Sequence, residues 1–163
     1  MEVALIADTH IPTRASEIPE PFAGRIRAAD HVVHAGDFDS QGAFADVRAM
    51  ADRLTAVSGN MDRGLGLPEV RTVGCDGVEF VLTHGTGPEH SYQQRVASAV
   101  RAHASAESAV GVAGHTHEVL DARHDGVRLL NPGSVTGASP AGRATMMTAT
   151  VEDGSLAVTL HER

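Results

Sequence analysis

Seven side chains that can ligate a metal stand in five short clusters between residues 8 and 117. They are Asp8 and His10 in DTH, Asp37 in GD, Asn60 in GNMD, His84 in THG, and His115 and His117 in GHTH. Carboxylate, amide oxygen and imidazole are represented, and no thiolate accompanies them. That mixture suits borderline divalent ions such as Mn²⁺, Fe²⁺, Ni²⁺ or Zn²⁺ better than Ca²⁺ or a four-cysteine structural zinc. Seven donors exceed one tetrahedral shell and suffice for two ions if a carboxylate bridges. Two ions about 3.5–4 Å apart can polarise phosphoryl oxygens and activate a shared water. Each residue alone has a plainer reading. Asp8 or Asp37 can cap a turn, Asn60 can occupy a left-handed turn, and any of the histidines can be a hydrogen-bonded core or surface group. The alternation His115-Thr116-His117 would aim both imidazoles to one side if the segment is extended.

The elements that must position these groups read as alternating strands and helices. The apolar run VALIA, 3–7, predicts a strand buried on both faces. The loop IPTRASEIPEP and a short helix FAGRIRAA follow it. HVVHAGD, 31–37, predicts a second strand, 41–53 a helix with Phe44, Val47 and Met50 on one side, and LTAVSGN, 54–60, a third strand. Segments 69–74 and 78–85 flank a Cys-Asp-Gly turn as a hairpin, 89–104 forms a third helix, and SAVGVAG, 108–114, is another buried strand. Two further hairpins turn at His124–Gly126 and Asp153–Gly154. The expected architecture is α/β, two packed sheets with helices outside, in a single domain over residues 1–163. All five clusters fall at or just after strand ends, and open α/β sheets bind ligands beyond those ends.

Composition removes several classes. The net charge is −8, all 13 basic residues are arginine, and no Lys/Arg-rich track is visible, which argues against a nucleic-acid polymer as partner. Cys75, the single cysteine, has no partner within the chain and is expected to be an inert structural thiol. There is no phosphate-binding loop GxxxxGK, no GxGxxG fingerprint and no nucleophile elbow, so ATPase, dinucleotide and serine-hydrolase readings fail. The N-terminus lacks a signal-peptide pattern and no apolar stretch would span a membrane, giving the expectation of a cytoplasmic protein. His31 and His34, which bracket a strand, are expected to be satisfied sheet histidines. Arg14, Arg63 and Arg143 are the arginines that could reach phosphate from loops or a late strand.

In this order, DTH, GD, GNxD, THG and GHTH resemble the calcineurin-like metallophosphoesterase superfamily, and more closely its small bacterial and archaeal phosphodiesterase branch. NPGS at 131–134 matches that branch as well. The resemblance implies a four-layer α/β/β/α sandwich and a dinuclear site. One ion would be held by Asp8, His10, Asp37 and His117, the other by Asp37, Asn60, His84 and His115, with Asp37 bridging. It implies two divalent ions, Mn²⁺ foremost with Ni²⁺, Fe²⁺ or Zn²⁺ as alternatives, a bridging hydroxide as nucleophile, a small phosphodiester as substrate, and admits a homodimer. Larger relatives carry a histidine where this chain has Met61. A thioether cannot donate a proton, which favours activated phenyl or nucleoside-type esters or requires another acid. Asp62 is expected to orient a ligand or support the turn. The opening DTHIPTRASEIPEPF, 8–22, is similar to the Vps29 scaffold family, which shares the fold but binds partners. A non-catalytic scaffold, with loop 11–21 as a contact, is therefore the alternative.

Overall fold

The computed structural model describes residues 1–163. Its elements are β1 (Glu2–Ile6), α1 (Glu20–Ala28), β2 (His31–His34), α2 (Gln41–Met50), β3 (Leu54–Ala56), β4 (Val70–Cys75), β5 (Val78–Thr83), α3 (Tyr92–His103), β6 (Val110–Val112), β7 (Val119–His124), β8 (Val127–Pro132), β9 (Thr145–Glu152) and β10 (Ser155–Glu162). A short 3₁₀ turn, Glu89–Ser91, leads into α3.

Two five-stranded sheets form, ordered β10-β9-β1-β2-β3 and β4-β5-β6-β8-β7. β1, β2 and β3 are parallel, as are β5, β6 and β8, and the hairpin partners run antiparallel at the edges. The sheets face each other. Val3, Leu5, Ala7 and Val33 of the first pack with Phe80, Leu82, Val112 and Leu130 of the second. The alternate residues Ala4, Ile6 and Val32 point outward onto Phe22 and Ile26 of α1 and Val47 of α2. Two-sided burial is why VALIA reads as an unbroken apolar run. On the far side, Val96, Ala97 and Val100 of α3 cover Val81 and Leu129. The result is the expected helix–sheet–sheet–helix sandwich.

Several strands stop earlier than the apolar patterning suggests. β2 ends at His34, β3 at Ala56 and β6 at Val112. For β2 and β6 the cause lies in the backbone that follows. Asp8, His10, Asp37, His115 and His117 all have φ between 48° and 74°. Left-handed backbone cannot continue an extended ladder, and for a residue with a Cβ it costs about 1–2 kcal/mol. Five of the seven candidate ligands therefore sit in tight loops beyond the strand ends. Their neighbours hold those loops in shape, as strain at functional sites requires.

Cys75 is buried between the sheets, and burial pushes its thiol pKa up, in keeping with an inert role. α2 is capped by Ser40, whose hydroxyl accepts the Ala43 N–H at 3.0 Å. No helix is long and apolar enough to cross a membrane.

Candidate metal centre

The loops after β1, β2, β3, β5 and β6 meet at one edge of the sandwich and bring the sequence clusters together. Asp8, His10 and His117 place ligand atoms within 4.8 Å of one another, and so do Asp8, Asp37 and His84. All five are buried. His10 Nε2 lies 3.6 Å from Asp8 Oδ1 and 3.5 Å from Asp37 Oδ2. His117 Nε2 is 3.4 Å from Asp8 Oδ1, and His84 Nε2 is 3.2 Å from Asp37 Oδ2 and 3.9 Å from Asp8 Oδ1. Asp37 Oδ2 thus faces histidines of both groups, while its Oδ1 accepts the Met61 N–H at 2.8 Å. Asp8 Oδ1 also reaches both groups.

Hydrogen bonds around the rim settle how the imidazoles present themselves. His84 Nδ1 donates to the Ala35 carbonyl at 2.7 Å and His117 Nδ1 to the Ala138 carbonyl at 2.8 Å. His10 Nδ1 donates to Asp39 Oδ1 at 2.9 Å. With Nδ1 committed as donor, each ring turns an Nε2 lone pair toward the carboxylates. His10 Nε2 and His117 Nε2 stand 3.1 Å apart, two lone pairs face to face. His84 Nε2 is buried with no hydrogen-bond partner. Buried polar atoms rarely go unpaired, and opposed lone pairs repel unless a cation or proton lies between them. The donor set therefore fits divalent cations.

The two histidines of GHTH diverge. Both residues are left-handed, so the alternation rule for extended chain does not apply. His117 joins Asp8 and His10. His115 turns toward the opening, where its Nδ1 faces Asn60 Oδ1 at 3.1 Å and its Nε2 donates to the Gly87 carbonyl at 3.2 Å. Asn60 is exposed at the rim, and both residues sit outside the tight carboxylate–histidine groups. His115 is tied in through its backbone, whose N–H meets the Asp8 carboxylate oxygens at 3.3 and 3.0 Å.

The electrostatics follow from burial opposed by charge. Burial disfavours protonated His84, yet the Asp37 carboxylate, which would accept from Nε2–H once the ring is protonated, and the Asp8 and Asp37 charges outweigh it and raise its pKa. In His10, too, burial is outweighed, by hydrogen bonds with Asp8 and Asp39 and by the nearby carboxylate charges. Burial works to raise the Asp37 pKa, but His84, the Met61 N–H and His10 bring it below the usual carboxylate range. The carboxylates thus call for positive charge at the imidazole nitrogens, which a proton or a metal ion can supply.

Asp62 supports the centre from behind. It is buried, and its carboxylate accepts four backbone N–H groups: Asp37 at 2.7 Å, Phe38 at 2.7 Å, Asp39 at 3.0 Å and Gly59 at 2.8 Å. Asp37, Asp39 and Asp62 also lie close together. Asp62 is occupied by those amides, and Asp39 by His10 and the Thr13 hydroxyl.

Some supporting residues escaped the reading of the sequence. Asp39 orients His10, and the only signal for it was the Asp-Phe-Asp spacing. Asn131, the first residue of NPGS, bonds the Gly114 carbonyl at 2.9 Å and Thr116 Oγ1 at 3.0 Å, and Tyr92 donates to the same carbonyl at 2.7 Å. Ser134, the last, donates to the Asp8 carbonyl at 2.7 Å. His34 and His31 lie in the sheet, and the expectation that both are satisfied holds for His34 only: His31 bonds Thr55 through Nε2 and leaves its buried Nδ1 without a partner. His34 accepts the Gly36 N–H at 3.1 Å and donates to Thr9 Oγ1 at 2.8 Å, and burial followed by the His84 charge depresses its pKa to about 3. Of the arginines considered, Arg14 donates to the Ser139 carbonyl and Arg143 pairs with Glu162, leaving Arg63 at the mouth of a cleft.

Residues 1–154 match the calcineurin-like phosphoesterase superfamily domain. The chain belongs to that superfamily. It is 35% identical over 139 residues to a protein named probable metallophosphoesterase from Methanothermobacter thermautotrophicus, covering 83% of this chain and 78% of that one. A second probable metallophosphoesterase, from Methanocaldococcus jannaschii, is 31% identical over 139 residues, covering 83% and 69%. Among solved structures, wild-type Vps29 from Entamoeba histolytica in complex with Zn²⁺ superposes with a TM-score of 0.77 at 25% identity, covering 99% of each chain. The clustered histidines and aspartates form candidate dinuclear metal sites of the metallophosphoesterase type.

Proposed function

We propose that this protein, as a single domain of residues 1–163, hydrolyses small phosphodiesters with two divalent metal ions, Mn²⁺ foremost. Three imidazole Nε2 lone pairs converging on two buried carboxylates carry this reading, above all the partnerless Nε2 of His84. Asp8, His10, Asp37 and His117 would hold one ion, and Asp37, Asn60, His84 and His115 the other. Bound there, the two cations would neutralise phosphoryl charge and make a water nucleophilic. The residues around them supply position. Asp39, Ala35 and Ala138 fix three imidazole rings, and Asp62 fixes the loop carrying Asp37. Asn60 and half-buried His115 stand at the opening, where a diester would arrive. Exposed Met61 at that rim offers no proton to a leaving group, so the reaction relies on leaving groups of low basicity or on solvent.

The test is Mn²⁺-dependent cleavage of bis(p-nitrophenyl) phosphate, abolished by EDTA, together with metal content. Asp37→Ala removes the carboxylate that faces both groups, so it should lose metal from both sites and reduce kcat/KM by about 10³-fold or more, the range expected when charge stabilisation is removed. Equal metal content and turnover in that variant would refute the assignment. The likeness to Vps29 across the whole chain favours a second reading, a scaffold. A partly apolar cavity of about 420 Å³ lies beside loop 11–21, lined by Ile11, Ile18, Val47 and Met50 together with charged Glu17, Arg27 and Asp46. A folded, Mn²⁺-loaded protein without turnover on any diester would favour that reading.

A further inference from the structure

A polar cleft of about 520 Å³ opens beside the metal centre and shares Asn60 and His84 with it. Its wall continues through Ser58, Thr83 and Thr86, and Ala99 is the single hydrophobic residue among the eleven that line it. No Phe, Tyr or Trp lines it, and His84 is the single ring. Two cations face this space, Arg63 from the turn after Asn60 and Arg95 from α3.

Both arginines are free of carboxylates. The arginine ion pairs of this chain involve Arg27, Arg101, Arg128 and Arg143. Arg95 is nevertheless held in place. Its terminal nitrogens donate to the Gly85 carbonyl at 2.8 Å, the Pro88 carbonyl at 3.2 Å and Ser91 Oγ at 2.9 Å. Its Nε–H is buried and has no acceptor. A guanidinium fixed by neutral acceptors, with no carboxylate paired to it, is suited to attract an oxyanion into the cleft. Exposed Glu69 is the one acidic residue in the lining, so the cleft stays net positive in a chain of net charge −8.

The geometry points to a binding site for a second anionic group of the substrate: one arm of the phosphodiester is short and hydrophilic and ends in a carboxylate or phosphate that Arg63 and Arg95 receive. This rests on the proposed metal centre, which anchors the reacting phosphate.

Calorimetric titration of the Mn²⁺-loaded protein tests it without relying on turnover. Three probes share a phosphate and a three-carbon arm: glycerol 3-phosphate, 3-phosphoglycerate and glycerol 1,3-bisphosphate. A charge-assisted hydrogen bond should make at least one anionic-arm probe bind about tenfold or more tightly than glycerol 3-phosphate. Which of the two gains more tells carboxylate from phosphate. Arg63→Gln, at an exposed turn, should bring that ratio down several-fold, and the ratio is unaffected by a general loss of active protein. Equal affinities for the three probes, or a ratio that Arg63→Gln leaves unchanged, would overturn the proposal. Preference without hydrolysis of any diester would instead refute the phosphodiesterase reading while leaving the anion site standing.

Discussion

Replacing Asp62 by Asn preserves shape and removes one charge, so it isolates what that carboxylate does. Oδ2 accepts the N–H groups of Asp37 and Gly59, and Oδ1 those of Phe38 and Asp39. An asparagine can place its oxygen toward one pair only, and its amide nitrogen then meets the other pair as donor against donor. Two hydrogen bonds to a charged acceptor disappear and two lose their charge assistance. At about 1.5–3 kcal/mol for each of the two lost bonds, the variant should be about 3–6 kcal/mol less stable. That is a large part of the 5–15 kcal/mol typical of a domain. For a chain of this length, it corresponds to a fall in Tm of about 6–24 °C. Urea denaturation of the metal-free protein, followed by circular dichroism, measures the loss directly. Metal analysis at saturating Mn²⁺ should then show fewer than two ions per chain, because Asp37 and Gly59 are no longer held together. A stability change below about 1 kcal/mol with two ions retained would refute the reasoning, since the four amides would then have found other acceptors.

Three more outcomes follow from the same geometry. Asp39→Ala frees the His10 ring to rotate and should weaken Mn²⁺ binding about 10–100-fold at the site His10 serves, read by competition with a chelating dye. Gly59→Ala would put a Cβ 2.5 Å from the Asp37 backbone nitrogen and closer still to its carboxylate. It should destabilise the fold by about 1–3 kcal/mol and lower metal content, checked by thermal melting and elemental analysis. The third outcome concerns pH. The pKa values of His10 and His84 are raised above the unfolded value of 6.5, so in the metal-free protein their stabilisation is complete below pH 6.5 and fades as pH climbs through the folded values. The Asp37 pKa is depressed below 3.8, so its contribution holds above that pH and is lost as pH falls through the folded value. Mn²⁺ needs those imidazoles neutral, so the rise in Tm on adding Mn²⁺ should grow between pH 6 and pH 8. A constant rise over that interval would contradict the assignment of both histidines.

How much of this was legible in the sequence depends on the kind of interaction. The strands were visible because burial on both faces leaves a continuous apolar run, as in VALIA. The ligands were visible because metal chemistry restricts residue type and because each cluster follows such a run. Strand ends were placed too late at Asp37, Asn60 and Gly114. Apolar patterning carries no information on φ, and the left-handed residues that follow β2 and β6 include Asp37 and His115 as well as Gly36. The same blind spot applies to His115 and His117, whose alternation would aim both rings to one side only in an extended segment, a condition their left-handed backbone does not meet.

Asp39, Tyr92, Asn131 and Arg95 were missed for a different reason. Each acts through hydrogen bonds to groups in other loops, such as Tyr92 on the Gly114 carbonyl, and nothing in residue type or local spacing records those partnerships. Such residues matter because the ligands carry the strain. Histidines at φ 74° and 60° in GHTH keep those angles only while Asn131 and Tyr92 hold the Gly114 carbonyl and Ala138 holds the His117 ring. The chemistry of the centre can therefore be written from seven residues, but its geometry depends on buried polar groups whose own types suggest no function at all.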